Sequence, residues 1–251
     1  MELTAGDERY RDDHGTADPA VSGALAAYAA GTAGEHAALT ALAAARLLVP
    51  VVAMPSTGPA STGPASTGRG STALADGAGR LAGEKASEMA LPALVGRDGR
   101  RALPAFTCLD AVRRWKASAR PVPVQADAVW QSAVAEASAV VIDIAGPVPL
   151  LVEGARLAAL ANGTVLGMHE DPDVWQQVAA AAAQVAPGIR VKLTPPNGDI
   201  DFTLELAPPE GAAGPVPSDV ADRVGDAVLA TLRDRVRAGI AVLVRPAVLR
   251  S

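Results

Sequence analysis

Along residues 189–206 apolar and polar positions alternate strictly. Ile189, Val191 and Leu193 are separated by Arg190 and Lys192, and Phe202, Leu204 and Leu206 by Thr203 and Glu205. A period of two puts each set on one face of a strand, and Asn197-Gly198 between the runs tolerates the positive φ angles of a tight turn. The pattern predicts a hairpin with a two-residue turn that places Arg190 opposite Glu205, Val191 opposite Leu204 and Lys192 opposite Thr203. A helix over 172–185 precedes it. Downstream, Val220, Val224, Val228, Leu232 and Val236 recur every four residues. This predicts a helix capped by Ser218 and ended by Gly239, with Asp219 and Asp222 in its first turn and Arg233, Arg235 and Arg237 near its end, each sign matching the helix dipole. The run "IAVLVRP" from Ile240 reads as a last strand, so the C-terminal part is expected to run helix, hairpin, helix, strand.

The first half carries shorter periods. Leu39, Leu42 and Arg46 fit a short helix, and Leu47 to Met54 is an apolar run of strand length. Pro50 cannot donate to a ladder, which favours an edge strand or a bulge there. "MALPALVGRDGRRALPAF" (89–106) reads as two strands around Asp98-Gly99. A two-residue turn pairs Arg97 with Arg100, Val95 with Ala102, Ala93 with Pro104 and Leu91 with Phe106, and leaves apolar residues on both faces, so both are expected to be covered. Thr107 with Asp110 three residues on is a variant capping box, starting a helix that carries Leu109, Val112 and Trp115 inward until Pro121 stops it. Residues 126–137 predict a helix with Val129, Trp130, Ala133 and Val134 on its apolar stripe. A buried strand over 139–144 follows, then a helix from near Glu153 to Asn162-Gly163.

Two segments lack such patterning. Residues 1–35 carry no sustained apolar period and read as a disordered tail. Residues 56–70, "STGPASTGPASTGRG", repeat a five-residue unit of small and turn-forming residues with no large side chain to bury, so 55–80 reads as a flexible low-complexity insertion. The expected organisation is therefore tail 1–35, an α+β domain 36–162 interrupted at 55–80, and a smaller α+β unit 163–251. The fold class is α+β, with an antiparallel or mixed sheet flanked by helices.

Composition narrows the chemistry. With 49% hydrophobic and 20% charged residues the 251-residue chain has the mix of a soluble globular protein, and a formal net charge of −5 argues against nucleic acid as a partner. Cys108 is the only cysteine, which excludes an intramolecular disulfide framework and a thiolate-rich metal site. No apolar run of spanning length and no leader-like start is expected, so neither is a membrane partner. Glycine-rich phosphate loops, dinucleotide fingerprints, HExxH and CxxC are all missing from the sequence. His169, Glu170 and Asp171 are adjacent but lack a distant co-ligand, so they read as a solvated helix start, and no metal or cofactor is expected. Cys108 at a helix start is the natural nucleophile to suspect, yet it has no histidine in a recognisable arrangement. Asp143 in an apolar strand reads as a strand-end carboxylate facing a backbone N–H.

The segment 84–123 carries a resemblance. Glu84-Lys85 before a strand with Met89, Asp98-Gly99-Arg100, the Leu-Pro-x-Phe-Thr run at 103–107, Trp115 and Ala119-Arg120-Pro121 strongly resemble the N-terminal domain of the SseB family, named for enhanced serine sensitivity. "LLVPVV" and "VVIDIAGPVP" are similar to family positions as well, and the likeness covers about 37–162. It implies a cytoplasmic bacterial α+β protein with no catalytic motif to transfer. The first functional expectation is a non-enzymatic binding or adaptor protein using apolar hairpin and edge surfaces, with an unknown protein partner or a second copy. Its candidate binding residues are Glu84, Lys85, Trp115 and Arg120, although Trp115 as core and Arg120 as an anchor is the plainer reading. The alternative is a small-molecule sensor or enzyme of amino-acid (serine) metabolism. That would be favoured by Glu84, Lys85, Arg120 and Asp143 around one cavity.

Overall fold

The computed structural model describes residues 10–55, 87–90, 92–146, 149–212 and 214–246. The low-complexity insertion and residues 1–9 of the expected tail lie outside them. The remainder of that tail is not featureless. Asp18 accepts hydrogen bonds from Ala20 and Val21 N–H, Pro19 takes the first helical position, and Gly31 closes helix α1 (Pro19–Ala30) in the left-handed conformation. These caps are legible in the sequence, but α1 buries only Val21 and Tyr28, so it has no apolar period to find.

Helix α2 (Glu35–Ala43) leads into β1 (Arg46–Pro55), which pairs antiparallel with β2 (Ser87–Ala90) on one side and β5 (Arg120–Gln125) on the other. β1 is thus a central strand, contrary to the expected edge or bulge at Pro50. Leu48 exchanges two backbone hydrogen bonds with Phe106, of 2.7 and 2.9 Å, and Val52 begins the β2 pairing. Pro50 lies between them, where the neighbouring strand changes and no donor is required.

The Leu48–Phe106 bridge joins this sheet to a second, ordered β3 (Leu94–Val95), β4 (Arg101–Ala105), β6 (Ala139–Ile142), β7 (Leu150–Val152). Within it β4 and β6 run parallel and the outer pairs antiparallel. α4 (Ala126–Ala135) and α5 (Gly154–Ala161) cover one face. There Tyr28, Leu39, Leu42, Leu47, Trp130 and Ile142 are all at most 1% exposed. Ala126, Val129, Trp130 and Ala133 form the inward stripe of α4, whereas Val134, expected on it, points out at 46% exposure. α3 (Leu109–Trp115) packs Val112 and Ala111 on Leu48 and Phe106 on the opposite face.

A third sheet, β8 (Arg190–Thr194), β9 (Phe202–Ala207) and β10 (Ile240–Val244), is packed by α6 (Pro172–Val185) and α7 (Ser218–Thr231) around Val178, Phe202, Leu204, Leu206, Val224 and Val228. The hairpin register differs from the two-residue expectation: Val191 faces Leu206, Lys192 faces Glu205 and Leu193 faces Leu204. The shift is two residues, so every side chain keeps its expected face. α7 starts after Pro217 with no side-chain cap from Ser218 and ends at Thr231, about two turns short of Gly239. The mixed sheets and flanking helices make this an α+β protein.

Candidate functional site

The 96–100 turn decides what the first hairpin presents. Gly96 N–H donates to Arg100 O, Gly99 N–H donates to Gly96 O, and Gly99 has φ of +80°. This is a three-residue loop, not the expected two-residue one, and it slips the pairing by one: Leu94 faces Ala102 and Val95 faces Arg101. A slip of one exchanges faces. Val95 therefore leaves its expected pairing with Ala102 and stands 69% exposed, so the expectation that both hairpin faces are covered does not hold there. The Asp98 carboxylate accepts from Arg100 and is held below its ordinary range chiefly by that side-chain hydrogen bond.

Val95 shares its sheet face with Leu103 on β4, with Val49 on β1, and with Val122 and Val124 on β5, all half-buried. α4 covers the centre of this face, and an apolar cleft opens at its border between Val49, Leu103, Val124, Ala128 and Val129. Arg120 faces Val51 in the same register and ends the row as an exposed cation with no ion pair among the described residues. A partly open aliphatic row with one charge at its end is thus built from β1, β3, β4 and β5. The outer strand β5 carries Pro121 and Pro123 at the positions turned away from β1, which strips donors from its free edge.

The structure separates the residues that the sequence grouped. Trp115 packs half-buried on Phe106, ring centroids 5.5 Å apart, on the opposite face of the β1–β5 pair from Arg120. Glu84 and Lys85 lie outside the described residues. Asp143 does not share a cavity with Arg120. It sits 9% exposed at the end of β6 with φ of +49° and accepts from Thr107 N–H at 2.9 Å and Thr107 Oγ1 at 2.6 Å. Thr107 therefore does not cap α3: its hydroxyl is spent on Asp143, and the N-cap of α3 is Cys108 with no side-chain bond. Two charge-assisted bonds, each worth roughly 1.5–3 kcal/mol, fasten the ends of parallel β4 and β6.

His169, Glu170 and Asp171 also part company. Glu170 accepts from Gly167 N–H, and Asp171 caps α6 by accepting from Asp173 N–H. Among the described residues no group of three or more His, Cys, Asp or Glu side chains could hold a metal ion, and no helix is long and apolar enough to cross a membrane.

The densest charge cluster was not legible in the sequence. Glu35, Asp171, Arg156 and Arg235 meet between the two cores. Glu35 binds both arginines, and Arg235 Nη2 lies 2.6 Å from Glu35 and 2.8 Å from Asp171. Glu35, Arg156 and Asp171 are at most 5% exposed. Burial works against the Arg235 charge, but bonds to Glu35 and Asp171 outweigh it and raise its pKa. Because α7 stops at Thr231, Arg235 is not a dipole-matching residue on a long helix but the bridge between both acids. Beside the cluster, Asp201 accepts from Glu35 N–H and from the N–H groups of Arg237, Ala238 and Gly239.

An α+β domain with a mixed sheet, helices packed on both faces and a glycine-turned hairpin at its border is the class these elements define. The chain belongs to the SseB family: the model of the SseB protein N-terminal domain matches residues 21–159. That span begins inside α1 and ends in α5, so it takes in the hairpin, α3, β5 and α4. No curated protein and no solved structure is significantly similar to the chain.

Proposed function

We propose that this SseB-family chain is a non-enzymatic adaptor that engages a separate protein through the aliphatic row Val95, Leu103, Val49, Val124 and Val122, with Arg120 setting the orientation. The observation that carries the reading is Val95, an aliphatic side chain 69% exposed on the same sheet face as Leu103 of the apolar cleft and set there by the register of the three-residue turn. A hydrophobic centre rimmed by a cation is the usual anatomy of a protein-binding surface. The two edge prolines of β5 disfavour strand addition, so the partner lies on the face rather than extending the sheet. Its acidic or carbonyl groups pair with Arg120.

Light scattering on the purified protein tests the assignment to a separate partner. A mass near the 25.2 kDa of one chain leaves the row free. A dimer that reverts to that mass in Val95→Asp would assign the row to self-association and overturn the separate-partner reading.

A further inference from the structure

On the other side of the molecule, α1 and α3 form the walls of a trough of about 610 Å³. Leu25, Ala26, Ala29 and Ala30 line one wall and Ala111 the other, while Thr107, Cys108 and Asp143 close the end and Arg114 stands at the rim. Most of the polar groups here are committed. Ser22 donates to Asp18 O, and the Thr107 hydroxyl and the Asp143 carboxylate satisfy one another. Arg114 spends only Nε, on Asp110 O at 3.3 Å, and no carboxylate pairs with its terminal N–H groups among the described residues. An apolar trough with one uncommitted cation at its mouth is complementary to an apolar body bearing one negative charge.

We infer that the trough between α1 and α3 binds a small amphipathic carboxylate, a free fatty acid in chemical terms. The aliphatic chain lies along the alanines of α1, and the carboxylate is held by Arg114. A neutral ligand leaves the guanidinium unused, and a cationic one meets it with like charge. This site is separate from the Val95 row and stands or falls without it.

Cys108, half-buried in the trough wall and the only thiol of the chain, reports occupancy directly. The probes are decanoate and 1-decanol below their aggregation concentrations, and the readout is the rate of Cys108 alkylation by iodoacetamide, followed by intact mass. Decanoate should slow alkylation. The decanoate concentration giving half-protection should rise about fivefold in Arg114→Gln, the loss expected of an exposed charge pair, while that for 1-decanol stays the same. Ala26→Trp, which fills the trough from an exposed helix position, should abolish protection by both probes with an unchanged circular dichroism spectrum. The inference is overturned by no protection from decanoate, by an Arg114→Gln effect that is nil or equal for acid and alcohol, or by protection that survives Ala26→Trp.

Discussion

At the scale of single residues, the acids of this chain were the hardest to read. Asp143 was expected to face a backbone N–H and does, on Thr107; what the sequence hid was that Thr107 would serve Asp143 rather than cap α3. Asp201 gave no sequence signal, because its partners are N–H groups up to 166 residues away. Burial holds the Asp201 carboxyl above its ordinary value of 3.8, and its backbone donors oppose this without cancelling it. A folded value above the unfolded one means that the fold favours the protonated form. The contribution is then full below 3.8 and lost as pH rises through the folded value. Asp201→Asn does not titrate, so the advantage of the wild type over Asp201→Asn in urea-unfolding free energy should shrink as pH rises from below 3.8 into the range just above it. A gap that widens over that range would show the pKa to be shifted the other way.

At the scale of elements, alternation proved more informative than turn type. In the 189–206 hairpin the period of two fixed which face each side chain takes, although the loop is longer than Asn197-Gly198 alone and Thr203, on the polar face, is buried at 4% exposure. The 89–106 hairpin had no such safeguard, since apolar residues occupy both faces, and Gly96 with Gly99 allowed the one-residue slip that exposes Val95. α1 escaped because an alanine-rich helix needs caps rather than a stripe. For β5 the only expectation was that Pro121 stops a helix, and the outward direction of Pro121 and Pro123 follows only from the register with β1. Replacing both prolines with valine restores two outward donors on an apolar edge. The double variant should associate in a concentration-dependent way in sedimentation velocity, whereas the wild type should not. Equal sedimentation of the two would mean that the prolines do not guard this edge.

At the scale of the whole molecule, two cores meet across polar contacts rather than a shared apolar face. Glu35 and Arg156 belong to α2 and α5 of the first core, and Asp171 and Arg235 to the start of α6 and the turn after α7 in the second. Contacts this distant in sequence leave no local pattern, so the junction was the least legible part of the chain. Two glycines serve the same junction: a Cβ on Gly31 (φ +70°) would lie 2.6 Å from Arg237 O, and one on Gly154 (φ +62°) would run into the Asp173 carboxylate. Glu35 is the common partner of both arginines, so its removal strands the buried Arg156 and leaves Arg235 with Asp171 alone. Glu35→Gln should cost about 3–5 kcal/mol of unfolding free energy. Arg156→Met, which leaves Glu35 paired with Arg235, should cost clearly less. The reverse order in guanidinium titrations would mean that Glu35 is not the hub.

The Val95 row, the centre of the functional account, lies on β1, β3, β4 and β5, all outside this junction. Its most direct test is photo-crosslinking from benzoylphenylalanine placed at Val95, with the same group at Leu229, an exposed position on α7, as control, in extract of the source cells. The account predicts a discrete protein adduct at position 95 that is lost when Arg120→Glu is added, and no such adduct at 229. No adduct at 95, or the same adduct at both positions, would contradict it.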